Sequence, residues 1–271
     1  MAACSFIDCR LQDDGVAVLT FDNPPLNLTT LATLDKLIST CRDIAGDEKV
    51  RAVVVVGAGE KAFCAGSDIN EFPHVRHDVV ECKLARENEA FAALEQLPTP
   101  VIAALNGVAL GGGAEIALAC DIRIMDETAR IGFPEVKLGI FPGSGGIFRL
   151  PRLVGPARAY ELLYTGDLID AREARRIGLV NRVAPAGQAF SAALAFAQTL
   201  ATRPALALSL IRAGVRDSFN QTTRQAIDRT LADSHRVFTG PDIEEGIDAF
   251  FAKRAPLFTA GRNRTKRTEG D

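Results

Sequence analysis

Two glutamates, Glu115 and Glu135, each stand in a turn built with glycine. Glu115 ends the run Asn106-Gly107-Val108-Ala109-Leu110-Gly111-Gly112-Gly113-Ala114-Glu115, and Glu135 lies in Gly132-Phe133-Pro134-Glu135. Two carboxylates near one apolar pocket can hold different protonation states, so one gives a proton while the other takes one. Three adjacent glycines allow backbone N–H groups to approach a ligand that side chains would otherwise keep away. The combination predicts acid–base chemistry on a carbonyl compound, with no metal called for.

Neighbouring segments add to this or fail to. Lys61-Ala62-Phe63-Cys64-Ala65-Gly66-Ser67-Asp68-Ile69 follows a buried strand and carries a glycine where a sharp turn would aim an N–H outward. The glycines at 111–113 lead into a helix whose positive N-terminal end suits a developing oxyanion. Equally, Glu115 could only be complementing that dipole. The spacing is neither the dinucleotide fingerprint nor a phosphate-binding P-loop. Pro142-Gly143-Ser144-Gly145-Gly146 lacks the first glycine of a nucleophile elbow, so Ser144 reads as a turn residue.

These segments need a scaffold, and the pattern supplies one. Val16 to Phe21 reads as a strand, Thr29 to Ile44 as an amphipathic helix, and Val50 to Val56 as a strand buried on both faces. A helix over 81–97, a strand over 101–105, a short helix over 114–119 and a strand over 122–125 follow. Strand, turn and helix alternate, which defines an α/β class. After Pro156 the chain turns mainly helical. Asp170-Ala171-Arg172-Glu173 is a capping-box pattern opening a helix that Gly178 closes, and further helices are predicted over 188–202, 205–215, 221–238 and 243–253. The basic stretch after Phe258 (Arg262, Arg264, Lys266, Arg267) reads as a solvated tail.

Composition narrows the class. The 271 residues can bury a sizeable core, and an apolar share of 47 % with a charged share of 24 % is ordinary for a globular protein. A net charge of −3 gives no reason to expect nucleic-acid binding. No apolar run has the length of a membrane helix and the N-terminus lacks a secretory pattern, so a cytoplasmic setting is expected. The six cysteines, Cys4, Cys9, Cys41, Cys64, Cys82 and Cys120, are scattered and read as reduced. His74 and His77 have ligand-like spacing but no third ligand beside them, and read as loop residues.

The order and separation of these segments resemble the crotonase superfamily, the enoyl-CoA hydratase/isomerase family. The markers are Phe63-Cys64-Ala65-Gly66-Ser67-Asp68-Ile69, Asn106-Gly107 with Gly111-Gly112-Gly113-Ala114-Glu115, and Pro134-Glu135 with Leu138-Gly139-Ile140-Phe141-Pro142-Gly143. The resemblance runs from the turn at 23–28 to Lys253-Arg254. It implies an α/β spiral of ββα units over residues 1–197, followed by a helical oligomerisation region over 198–271. It implies that Ser67 and Gly112 supply backbone N–H groups to an oxyanion hole for a thioester carbonyl, with the serine side chain a bystander. Glu115 and Glu135 match the two hydratase glutamates. Ala65, Asp68, Ile69 and Gly143 match the surroundings of coenzyme A, and Lys253 matches a lysine that reaches CoA phosphate, often from a neighbouring subunit.

The activity so implied is hydration of a 2-enoyl-CoA to a 3-hydroxyacyl-CoA, with the thioester as substrate and no cofactor. Family precedent assigns Glu135 to the α-carbon proton and Glu115 to the water, an order the sequence itself leaves open. Two alternatives stand beside it: a Δ3–Δ2-enoyl-CoA isomerase, which needs one carboxylate, and a non-catalytic relative that binds RNA or a protein. A homotrimer or a dimer of trimers is implied by the same resemblance. Phe133, Phe141 and the stretch 71–82 are candidate walls of the acyl pocket.

Overall fold

The computed structural model describes residues 6–262; Cys4, Arg264, Lys266 and Arg267 lie outside the described residues. Strands β1 (Ile7–Leu11) and β2 (Val16–Phe21) pair antiparallel. Helix α1 (Leu31–Gly46) is capped by Thr30, whose hydroxyl accepts from Thr33 N–H at 3.2 Å, and buries Leu34, Leu37, Cys41 and Ile44. Strand β3 (Ala52–Gly57) lies parallel to β2. From here the chain alternates between two sheets. The strand β4 (Ala62–Cys64) opens a second sheet, and α2 (Phe72–Val75), a π-helical turn at Val80–Leu84 and α3 (Ala85–Glu95) lead back to the first.

The next two passes repeat the step. First, β5 (Val101–Leu105) joins the first sheet, β6 (Val108–Leu110) the second, and α4 (Gly112–Ala119) follows. Then β7 (Ile122–Asp126), β8 (Arg130–Gly132) and α5 (Gly146–Val154) do the same. This is the expected spiral of ββα units. Its short second-sheet strands were absent from the sequence reading because three residues are too few to show a period. Helix α6 (Pro156–Thr165), strand β9 (Ile169–Asp170), helix α7 (Ala171–Arg176) and strand β10 (Arg182–Ala184) complete the sheets. The strand orders are β1-β2-β3-β5-β7-β10 and β4-β6-β8-β9. Only half of the capping box at α7 forms: Asp170 accepts from Glu173 N–H, whereas Glu173 turns to Arg158 and Arg176.

The valine run of β3 shows why alternation is missing from its sequence. Val53 and Val55 face the main core between the sheets and α1, α3 and α4, while Ala52, Val54 and Val56 face α8 (Ala189–Ala201). Both faces are buried, so both take apolar residues. Position 197, the expected edge of the spiral, falls inside α8, where Ala193 and Ala197 pack on this second core. Helices α9 (Ala205–Asp217), α10 (Thr223–Phe238) and α11 (Asp242–Phe251) extend beyond it.

Two buried arginines fasten that extension. Arg212 on α9 pairs with Asp121 at 2.7 Å and donates to the carbonyls of Leu94, Glu95 and Leu97 at the end of α3. Arg262 donates to Val50 O at 2.8 Å and to the carbonyls of Ala45 and Asp47 at the end of α1. Each cation sits on carbonyls gathered at a helix C-terminus, where positive charge is favoured. The expectation of a solvated tail from Phe258 onward therefore fails as far as Arg262. A single arginine reaching carbonyls more than two hundred positions away leaves no periodic mark in the sequence.

The spiral brings α4 hard against β4. A Cβ on Gly113 would fall 1.9 Å from Cys64 O, and one on Gly107 2.6 Å from Lys61 O. Only glycine permits this approach, which sets the distance between the start of α4 and the turn after β4. Gly113→Ala is expected to lower stability by about 2–3 kcal/mol, seen as a Tm loss of roughly 5–10 °C by calorimetry.

Candidate active site

The turn after β4 is built to expose one amide. Gly66 takes φ +98°, a left-handed value that a side chain would strain. Thr29 forms a parallel bridge with Ser67: Thr29 N–H donates to Gly66 O and Asp68 N–H donates to Thr29 O, each at 2.9 Å. In that pattern the N–H of Ser67 itself points away from Thr29, toward α4. Gly111, at φ +51°, starts the helix, and Gly112 is its first residue, whose N–H has no acceptor within the helix. A Cβ at Gly112 would stand 3.6 Å from Ser67 N. Two outward amides thus share one small space.

Both glutamates adjoin it. Glu115, in the first turn of α4, is 2 % exposed, and its Oε1 accepts the N–H groups of Ser144 at 2.9 Å and Gly146 at 2.8 Å. Glu135 opens a 3₁₀ turn at Pro134–Leu138. A Cβ at Gly111 would come within 3.0 Å of its Oε1, so the glycine preserves room for the carboxylate. Glu135 Oε2 is buried without a hydrogen-bond partner among the described residues. Burial raises both groups above the ordinary carboxylate range, Glu115 to about 8 and Glu135 to about 7. The bonds from Gly146 and Ser144 oppose the shift at Glu115, and the charges of Glu135 and Glu87 add to it. The pair titrates as a coupled unit that holds a proton near neutrality.

A third carboxylate, missed in the sequence, lies beside them. Glu87 on α3 is 3 % exposed, accepts from Ser144 Oγ at 2.5 Å and from Ser67 Oγ, and lies 3.8 Å from the buried ammonium of Lys83. Lys83 also pairs with Glu71 at 2.5 Å. The Ser67 side chain is therefore no bystander, and Ser144 is more than a turn residue: its N–H holds Glu115 while its hydroxyl holds Glu87. The signal available was the i, i+4 spacing of Lys83 and Glu87, which marks solvated helix faces as often as buried ones.

These groups line a cavity of about 110 Å³, walled by Phe72, Leu84, Leu138, Ile140 and Phe141. Phe72, from the stretch 71–82, and Phe141 line this cavity, while Phe133 is fully buried in the core. Ala65, Ile69 and Gly143 line the cavity as well. Asp68 instead caps the following turn through Asn70 N–H at 3.0 Å. Lys253 sits beyond the end of α11, exposed and with φ +52°, and is not part of the cavity wall. A larger groove of about 400 Å³ under α9 holds the ion pairs of Arg212 with Asp121 and Arg149 with Glu95, together with Arg152, which lies over the rings of Phe148 and Phe219.

A two-sheet ββα spiral whose turns gather two outward amides and two glutamates at one cavity defines the class of fold and site. A family model described as enoyl-CoA hydratase/isomerase matches residues 12–261. The chain belongs to that family. It is 40 % identical to the short-chain-enoyl-CoA hydratase of Clostridium acetobutylicum, covering 90 % of this chain and 94 % of that protein. It is 38 % identical to the crotonyl-CoA hydratase of Syntrophomonas wolfei, with 91 % and 95 % covered. The crystal structure of enoyl-CoA hydratase from Bacillus anthracis superposes with a TM-score of 0.90 at 36 % identity, over 93 % of this chain and 98 % of that one.

A carboxyl group with a raised folded-state pKa adds stability at low pH that is lost as pH climbs through that value. For Glu115 the loss runs from the ordinary range up to about 8. Glu115→Gln keeps an oxygen for the two amides and carries no charge. Urea unfolding at pH 9 should find the variant more stable than the parent by on the order of 2–4 kcal/mol, with the difference shrinking toward pH 5.

Proposed function

We propose that the protein is an enoyl-CoA hydratase, a hydro-lyase adding water to a 2-enoyl-CoA. One observation carries the reading: the carboxyl groups of buried Glu115 and half-buried Glu135 line the same small cavity as the outward amides at 67 and 112. The thioester oxygen accepts from both N–H groups, which stabilise the enolate as the double bond is attacked. Donors fixed before the reaction need no reorganisation as the charge develops. Water oxygen bonds to the β-carbon while its proton passes to the ionised member of the Glu115–Glu135 pair, and the protonated member delivers a proton to the α-carbon. Net, one water is consumed and the carboxylate pair returns to a singly protonated state after one internal exchange.

The reading asks for no cofactor, because a polarised thioester draws electrons from the conjugated double bond and leaves its β-carbon open to water. Ala65, Ile69 and Gly143 lie where the acyl and pantetheine portions would enter. We place Lys253 at the CoA phosphates of a neighbouring subunit, since it stands apart from the cavity of its own chain. Asp68 acts by shaping the turn that presents the Ser67 amide. A CoA thioester carries several phosphate charges, which supports a cytoplasmic setting. No single helix among the described residues is long and apolar enough to cross a membrane, and the net charge of −3 favours no nucleic-acid partner.

Helices α9 to α11 leave a broad apolar face exposed, including Ile211, Val215, Leu231, Phe250 and Phe251, with the last two about 77 % and 78 % exposed. So many large apolar side chains left exposed on three successive helices suit burial against another copy of the chain. We read it as that of a homotrimer or dimer of trimers. Sedimentation velocity should show a trimer or hexamer, and a monomer would remove the assignment of Lys253 to a partner's site.

Crotonyl-CoA hydration, followed at the enoyl absorbance, should be lost by about 10²–10⁴-fold in both Glu115→Gln and Glu135→Gln with the fold intact. The parent's kcat/KM should be bell-shaped, highest between about pH 7 and 8. Shifting of a 3-enoyl-CoA double bond without water addition, needing only one of the glutamates, would identify an isomerase instead.

A further inference from the structure

Glu87 has no part in the proton transfers above, yet it is the most connected side chain at the site. It reaches two segments that never touch in sequence. One carboxylate oxygen takes the hydroxyl of Ser67, in the turn that presents the first oxyanion amide. The other takes the hydroxyl of Ser144, in the loop whose N–H groups hold Glu115. The neighbouring Asn88 adds a bond from its amide nitrogen to Gly143 O at 3.0 Å, so α3 grips that loop at two consecutive residues. A π-helical turn, closed by Ala85 N–H to Val80 O, precedes α3 and sets Lys83 and Glu87 together on its inward face.

We propose that Glu87 is a positioning residue, a buried clamp that joins the Ser67 turn to the Ser144 loop and so fixes the spacing between the oxyanion amides and Glu115. The inference rests on the reading of the site as one for an acyl-CoA. A carboxylate suits the task because it is acceptor-only when ionised and can receive two hydroxyls at once. An amide in its place offers one oxygen and must present its NH₂ to the other hydroxyl.

Burying such a charge is costly unless it is paired. Lys83 supplies the pair, and it is itself shared with Glu71. The other ionisable groups facing Glu87 are Cys64 from β4, Glu115 from α4 and Glu135 from the 3₁₀ turn; Glu87 raises all three electrostatically. Removing its charge therefore moves the two catalytic carboxyls downward in pKa, whereas cutting only the hydroxyl contacts leaves them in place. Both of its oxygens are spent on hydroxyls, so Glu87 holds the frame and leaves the proton traffic to its neighbours.

Two variants separate the clamp from the charge. Glu87→Gln should lower kcat for crotonyl-CoA by about 10- to 100-fold with KM little changed, the scale expected for a misplaced reacting group. Both limbs of its pH profile should move to lower pH. The double variant Ser67→Ala/Ser144→Ala leaves the Lys83–Glu87 pair intact and should lose kcat comparably with the limbs unmoved. Hydrogen exchange by mass spectrometry should show faster exchange at 65–68 and 143–146 in both, independent of any turnover. Parental kcat and limbs in Glu87→Gln, or unchanged exchange at both segments, would overturn the clamp. A parent that turns over no enoyl-CoA would sink the hydratase reading alone, and the exchange data would still decide the clamp.

Discussion

Three glutamates, Glu87, Glu115 and Glu135, converge on one small and largely apolar cavity, and the difficulty of ionising Glu115 and Glu135 there beside Glu87 governs the site. In water each would be charged at neutrality. Inside the protein desolvation disfavours the charged form, and every added charge disfavours it further. Glu87 meets this with a lysine and two hydroxyls, and Glu115 with two amides, while Glu135 keeps one oxygen unpartnered among the described residues. Carboxyl groups raised above their ordinary range at Glu115 and Glu135 are the consequence, and the proposed hydration draws on them.

That arrangement depends on backbone geometry more than on side chains. The spiral returns the chain to the same edge on each pass, so the turns after β4, β6 and β8 stack beside one another. Each delivers one component: the Ser67 amide, the Gly112 amide with Glu115, and Glu135. Glycines at 66, 111 and 113 let these turns approach at distances that a Cβ would block. The helical extension is bound to this frame by arginines placed on helix C-termini, Arg212 at the end of α3 and Arg262 at the end of α1.

Much of this was legible from the residues. The helices α1 and α3 follow from periodicity, the strands β3 and β5 from unbroken apolar runs, and the glycine-flanked glutamates announce the site by type and spacing. The short strands β4, β6 and β8 were not legible, because their identity comes from pairing with each other and not from any local pattern. Glu87 escaped for a related reason. Ala85-Arg86-Glu87-Asn88-Glu89 reads as a polar helix face, and only the tertiary arrangement shows that Arg86 and Glu89 stay exposed while Glu87 turns inward. Likewise the hydroxyls of Ser67 and Ser144 gain meaning only once α3 lies between their turns. Arg262, read as part of a solvated tail, is a buried carbonyl ligand for the same reason: its partners are remote in sequence.

The most direct test is a crystal structure with a slowly reacting acyl-CoA, such as acetoacetyl-CoA, bound to the parent protein. The thioester oxygen should lie about 2.7–3.1 Å from the N–H groups of both Ser67 and Gly112, with Glu115 and Glu135 flanking the α- and β-carbons. A thioester oxygen gripped elsewhere, or a ligand that leaves either glutamate out of reach of those carbons, would contradict the account.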